Sequence, residues 1–366
     1  MKARKRVVTT RRQVAARRTP TVRRIKSAIV PAVKRPVPAS SRSGDSHAGG
    51  ASTPDRSVDL TVDLGRGLVL ANPIVAASGP FGYGVEVVDS VDLGLLGALV
   101  TRGTTLRARA GAPPPRMATT PSGLLHAVSF QNPGVDAVIE KHEPAWRGWR
   151  VPVVVNVCGE SVGEFVEVVR RLEGLSGVAG VELNLGCPNR SRGGSPFAFD
   201  ADAAASLVAA VRRTWDRCLV AKLSAGAADV RSVARAVAGA GADAISAINP
   251  VAALAVGGVR DRERARDRTL FGGAGAGLSG PAIRPIAMRV VYEVVGAVGI
   301  PVVAYGGVIT LDDVLDYLAV GAAAVGVGAA ALADPSLPVR LAEELADACS
   351  ASGFTSYRAL VGTSRR

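Results

Sequence analysis

Paired cysteines are missing from this sequence. Its four cysteines, Cys158, Cys187, Cys218 and Cys349, stand far apart with no CxxC among them. That spacing excludes a dense secreted disulfide framework and implies neither a structural zinc site nor a self-contained iron–sulfur cluster. A reducing, cytoplasmic setting is expected. Also missing is any run of about 18 uninterrupted apolar residues, so no membrane span is expected. Acidic residues are nearly absent from the first fifty positions, which hold 14 of the 44 Lys and Arg but one of the 31 Asp and Glu. Thirty of each sign remain in residues 51–366, so the net charge of +13 belongs to the tail. Any nucleic-acid affinity is therefore confined to tail clusters such as Arg4-Lys5-Arg6, acting by sequence-independent phosphate attraction.

Residues 1–56 are rich in Arg, Thr, Ser and Pro and read as a disordered basic extension, either a targeting or anion-binding arm or a plain unstructured terminus. Residues 57–366 read as one catalytic domain. Hydrophobic residues make up 48% of the chain and Gly numbers 42, which suits a large core of small and β-branched side chains. From residue 69 onward, short apolar runs alternate with amphipathic stretches. The runs are 73–77, 98–101, 152–157, 180–185, 219–223, 242–248, 301–305 and 324–328. Helical periodicity marks 162–175, 201–213, 227–240, 281–298 and 311–320. Strands separated by helices pair in parallel, and eight of them predict an α/β fold of the (β/α)8 TIM-barrel class, with a doubly wound open sheet as the competitor. The long insert at 103–150 follows the second run, where such barrels build substrate sites.

Active sites of this architecture lie at the carboxyl ends of the strands. Those ends are polar here: Ser78, Arg102, Asn156, the string Glu182-Leu183-Asn184-Leu185-Gly186-Cys187-Pro188-Asn189, Lys222 and Asn249. The last two strands end in Gly306-Gly307 and Gly328-Ala329, and Gly280 precedes another helix. Exposed amides at such places bind phosphate. Cys187 leaves its strand into a polar, basic loop, where an exposed thiol near positive charge titrates towards neutrality and accepts a proton. Cys158, Cys218 and Cys349 read as inert core residues. Lys222, alone in an apolar strand, needs an anionic ring or phosphate to be buried. Asn156, Asn189 and Asn249 offer paired donors and acceptors to a planar, amide-rich ligand.

In these residues the chain resembles the class 1 dihydroorotate dehydrogenases. The ordered elements are Ala77 to Gly82, Pro113 to Arg116 with Thr120 to Gly123, Gln131-Asn132-Pro133-Gly134, Glu182 to Asn189, Gly277 to Pro281 and Gly306-Gly307-Val308. The resemblance spans about Val58 to Ala346 and is nearest to the catalytic subunit of the NAD-linked, heteromeric subclass. It implies FMN at the barrel top, its ring near Ser78, Asn156 and Lys222 and its phosphate held around Gly280, Gly306, Gly307, Gly328 and Ala329. It also implies oxidation of dihydroorotate to orotate in de novo pyrimidine biosynthesis, with Cys187 as the base that takes the C5 proton while the C6 hydride leaves for the flavin. Arg102, His126, Asn156, Asn189 and Asn249 would face the substrate. A separate iron–sulfur and FAD subunit would carry electrons to NAD, and a homo-oligomer or heteromer is expected.

Three substrate positions depart from the family pattern. Arg102 stands where the family has Lys, His126 where it has Asn, and Pro250 where it has Thr or Ser. These leave open a different dihydropyrimidine-like substrate. The string Asn184 to Pro188 together with the basic tail also resembles tRNA-dihydrouridine synthases, although only about 38 residues follow the eighth run where those enzymes append a helical domain. A flavin-binding sensor without catalysis is the remaining alternative.

Overall fold

The computed structural model describes residues 58–255, Phe271 and 275–365. The expected basic extension and its boundary at 56/57 lie outside the described residues. A short antiparallel pair, β1 (Val62–Asp63) and β2 (Val69–Leu70), comes first. The eight apolar runs then form β3 (Ile74–Ala76), β4 (Ala98–Val100), β7 (Val153–Val157), β8 (Gly180–Asn184), β9 (Cys218–Leu223), β10 (Ala244–Ala247), β13 (Val302–Tyr305) and β14 (Ala324–Val327). They close into one parallel barrel in sequence order, β14 pairing back onto β3. Every residue of these strands is buried except the last of β8, Asn184. Burial on both faces is why they read as continuous apolar runs rather than alternating ones. The open-sheet alternative is thereby replaced by closure.

Helices α2 (Val162–Leu172), α3 (Ala201–Arg212), α4 (Val230–Gly239), α5 (Arg284–Val295) and α6 (Leu311–Ala319) occupy the expected segments, each trimmed at its ends. Local chemistry does the trimming. Asp229 accepts from the backbone N–H of Arg231 and Ser232 at 3.1 Å, so α4 starts after it and not at Ala227. At the other end of α2, Glu173 turns extended and Gly174 takes φ +74°, which stops the helix short of Leu175. Thr310 and Asp313 form a reciprocal capping box on α6. After β14 come the short α7 (Ala330–Ala333) and α8 (Leu337–Ala351), which buries Leu341, Leu345 and Cys349.

Two insertions at the carboxyl ends of barrel strands meet each other. The insert after β4 contains the hairpin β5 (Met117–Thr120) and β6 (Gly123–His126), followed by α1 (Val135–Trp146). That after β10 supplies β11 (Val251–Ala253) and β12 (Ala276–Ser279). β6 pairs with β12, giving a four-stranded antiparallel sheet, β11-β12-β6-β5, with a small core of its own around Leu125, Ala127 and Ala276. Among the described residues no helix is long and apolar enough to cross a membrane.

Packing between α2 and the loop after β8 fixes the frame of the site. Phe165 and Phe197 are fully buried and meet edge to face, 5.7 Å between centroids at 82°. Phe165→Ala is expected to lower unfolding stability by about 3–5 kcal/mol, measured by urea denaturation, because it leaves a cavity there.

Candidate active site

Register brings the polar strand residues together. In the barrel Asn156 lies beside Glu182, Asn184 beside Lys222, and Lys222 beside Ser246. The Glu182 carboxylate, 1% exposed, sits at the centre: it accepts from Asn156 Nδ2 at 2.6 Å, Ser246 Oγ at 2.7 Å and Lys222 Nζ at 3.3 Å. Lys222 also stands 4.8 Å from the Tyr305 ring centroid. Burial, and then the charge of Glu182, push the Tyr305 phenol well up, so it stays neutral. The anion expected to compensate Lys222 is thus first of all a side chain of the barrel. Sequence reasoning quoted Glu182 in a motif without giving it a role. The usable signal was a second lone charge in an apolar strand next to the one carrying Lys222.

Cys187 follows β8, its N–H donating to the Asn184 carbonyl at 3.1 Å. Exposure had been expected of it, but it is 1% exposed. The reason is that the loop folds back: Phe197 N–H donates to the Cys187 carbonyl at 3.2 Å and Ala198 N–H to that of Leu185 at 2.8 Å. Cys158 is not a remote core thiol. It lies at the end of β7, donates to Asn156 Oδ1 at 3.3 Å, and has Cys187 as a neighbour. Burial, reinforced by Cys187, pushes the Cys158 thiol far up, so Cys158 is held protonated.

Asn249 Nδ2 donates to Asn184 Oδ1 at 2.9 Å, while Asn249 Oδ1 is buried without a partner. Gly186 permits this approach, since a Cβ there would stand 2.9 Å from the Asn249 amide. Asn184, like Glu182, had not been singled out. Asn189 is bound within its own turn: its Oδ1 accepts from Ser191 N–H at 3.1 Å and Ser191 Oγ at 2.7 Å.

The glycines form two further groups. Gly307, at φ +73°, packs so tightly that a Cβ would lie 3.0 Å from the Gly280 carbonyl and 2.7 Å from Arg284 Cβ. Gly306 precedes it, its carbonyl accepting from Tyr317 Oη at 2.6 Å. Gly328 stands beside Ala77, one residue before Ser78, across the β14–β3 seam. Arg102 is half-buried after β4, its backbone N–H donating to the Gly82 carbonyl at 2.7 Å. His126 belongs to the rim sheet, opposite Gly277. A Cβ on Gly277 would stand 2.7 Å from Pro250 Cβ and 3.2 Å from the His126 ring. Two of the three departures from the family pattern are therefore neighbours, packed on the same backbone.

A closed barrel with this polar cluster at its strand ends defines the class, and comparison with known proteins defines the family. Residues 61–349 match the dihydroorotate dehydrogenase family, and the chain belongs to it. It is thereby an oxidoreductase acting on a CH–CH bond, in a family of flavoproteins. Relatives named dihydroorotate dehydrogenase B (NAD(+)), catalytic subunit, mark the heteromeric class 1 subclass. That of Citrifermentans bemidjiense is 41% identical over 309 residues, covering 84% of this chain and 98% of the relative. That of Desulforudis audaxviator is 42% identical over 300 residues, covering 82% and 96%, and that of Porphyromonas gingivalis 39% over 306, covering 84% and 98%. A crystal structure of the Eimeria tenella dihydroorotate dehydrogenase in complex with ferulenol shares the fold, with TM-score 0.69 at 18% identity over 86% of this chain and 91% of that one.

Burial lowers the affinity of His126 for a proton, so it is neutral in the folded protein. Below the ordinary value of 6.5 the unfolded chain takes up the proton first, so this residue's contribution to stability is present above that pH and lost as pH falls. His126→Asn should reduce the loss of stability between pH 7.5 and 5.5, measured as the change in urea midpoint relative to the parent.

Proposed function

We propose that the chain is the FMN-dependent catalytic subunit that oxidises dihydroorotate to orotate in pyrimidine biosynthesis, with Cys187 as the base. The observation that supports this best is the convergence of a thiol, a buried ammonium and an unpartnered acceptor, Cys187, Lys222 and Asn249 Oδ1, at one barrel mouth. The donor set suits a phosphorylated planar ring. Side-chain-free backbone at Gly280, Gly306, Gly307 and Gly328, with Ala329 opening a short helix, suits the phosphate. Ser78, Asn156 and Lys222 would border the ring.

Bound FMN supplies the two-electron acceptor for the C6 hydride. The protein's own residues do the rest. Cys187 takes the C5 proton and is shielded from bulk water by the returning loop at Phe197. Lys222 would hold the ring and supply positive charge beside it. Asn249 Oδ1 accepts from a ring N–H of the substrate, and Asn189, through its free Nδ2, donates to a ring oxygen. Arg102 and His126 border the substrate from the second strand end and the rim sheet. A separate iron–sulfur and FAD subunit would pass the electrons to NAD, in the cytoplasm. Residues 1–56 form an extension to a catalytic domain of 57–366.

Anaerobic addition of L-dihydroorotate to FMN-loaded protein should bleach the flavin. Full FMN occupancy without bleaching would sink the assignment, and the same titration with other dihydropyrimidines would reveal a changed substrate at His126 and Pro250. Cys187→Ser should keep the yellow colour while slowing reduction on the order of a hundred- to ten-thousand-fold, followed by stopped-flow absorbance. An unchanged rate would remove Cys187 from the base role.

A further inference from the structure

The asparagines at the mouth form one directed series, and its direction is set at Glu182. An ionised carboxylate only accepts hydrogen bonds. Asn156 commits its Nδ2 to Glu182 Oε1 at 2.6 Å, so its Oδ1 is turned away and accepts from Cys158 Sγ at 3.3 Å and Asn184 Nδ2 at 3.5 Å. Asn184 then has its Oδ1 left for Asn249 Nδ2, at 2.9 Å. The series ends on Asn249 Oδ1, buried and without a partner. Reversing the first amide would reverse each one after it and present a donor where an acceptor now stands. The same carboxylate faces Lys222 Nζ, Ser246 Oγ and the neutral Tyr305.

We propose that Glu182 is a positioning residue with two effects: it sets the polarity of the amide series that ends in the substrate-facing acceptor of Asn249, and it offsets the charge that Lys222 presents to the flavin. The inference rests on the FMN-dependent reading above. Glu182 acts through Asn156 and Lys222, to both of which its Oε1 is hydrogen-bonded. A carboxylate that merely neutralised Lys222 would influence the flavin and leave substrate affinity alone. One that also orders the amides influences both.

The test uses the full chain loaded with FMN and two variants, Glu182→Gln and Ser246→Ala, read by the flavin midpoint potential and by orotate titration of the flavin spectrum. Glutamine removes the charge and can donate as well as accept. The potential should therefore move positive and the orotate dissociation constant rise about tenfold. Ser246→Ala withdraws a donor whose hydroxyl dipole screens the carboxylate, so more of the carboxylate's negative field is felt around it. Its potential should move negative, with orotate affinity within about twofold of the parent. Opposite signs are the signature that general loosening of the barrel would not produce. Potentials that stay put or shift the same way, or undiminished orotate affinity in FMN-saturated Glu182→Gln, would overturn the proposal. If Glu182→Gln does not fold, Ser246→Ala decides alone: a negative shift supports the role and an unmoved potential refutes it. Failure of the parent protein to take up FMN would instead overturn the flavin reading, which separates the two.

Discussion

Two opposite charges inside an apolar barrel constrain the rest of the molecule. Glu182 and Lys222 come from adjacent strands, and their side chains are 1% and 7% exposed. Stripping one of such a pair of its partner typically costs about 3–5 kcal/mol, whereas the pair with its full set of hydrogen bonds is tolerated. Both must therefore point inward together, along with Asn156 and Ser246. Since side chains alternate between faces along a strand, a one-residue slip of β8 would turn Glu182 outward and leave Lys222 alone. The closure of the barrel and the geometry of its mouth thus share one condition.

The eight strands were legible because parallel strands covered on both faces are mostly apolar, and Val, Ala, Leu and Ile make up most of them here, around the few polar residues of the site. Helices were legible from their period, while their ends were set by side chains such as Asp229 and Thr310 that periodicity does not see. The rim sheet was not legible. Its strands are three or four residues long and glycine-containing at Gly123 and Gly277, and β6 and β12 find each other across some 150 positions of chain, which leaves no local trace. Cys187 was identified as to place and misread as to exposure, because a polar loop composition does not reveal that Phe197 brings it back over the thiol. Glu182 and Asn184 were masked by standing among better-known neighbours in one motif.

The family pattern and the structure meet at the rim. His126 and Pro250 depart from the pattern at positions far apart in sequence, yet both pack on Gly277. Proline has no N–H to offer, and a neutral imidazole replaces an amide. The two changes thus share one wall, built on the rim sheet and not on the barrel strands that carry Asn156 and Lys222. The buried charges belong to the barrel strands and these two departures to its insertions, so the rim can change without disturbing the Glu182–Lys222 pair.

The sheet joining β6 to β12 also orders events in time. Its two hairpins come from the second and sixth strand ends, so the rim closes only after most of the barrel has been laid down. Its own core is three buried residues, small beside that of the barrel. Local opening follows the segments with the fewest buried apolar contacts, and a sheet with so small a core is expected to open at lower cost than the barrel beneath it. Access to the strand ends is thereby governed by a sheet whose own core is far smaller than that of the barrel it stands on.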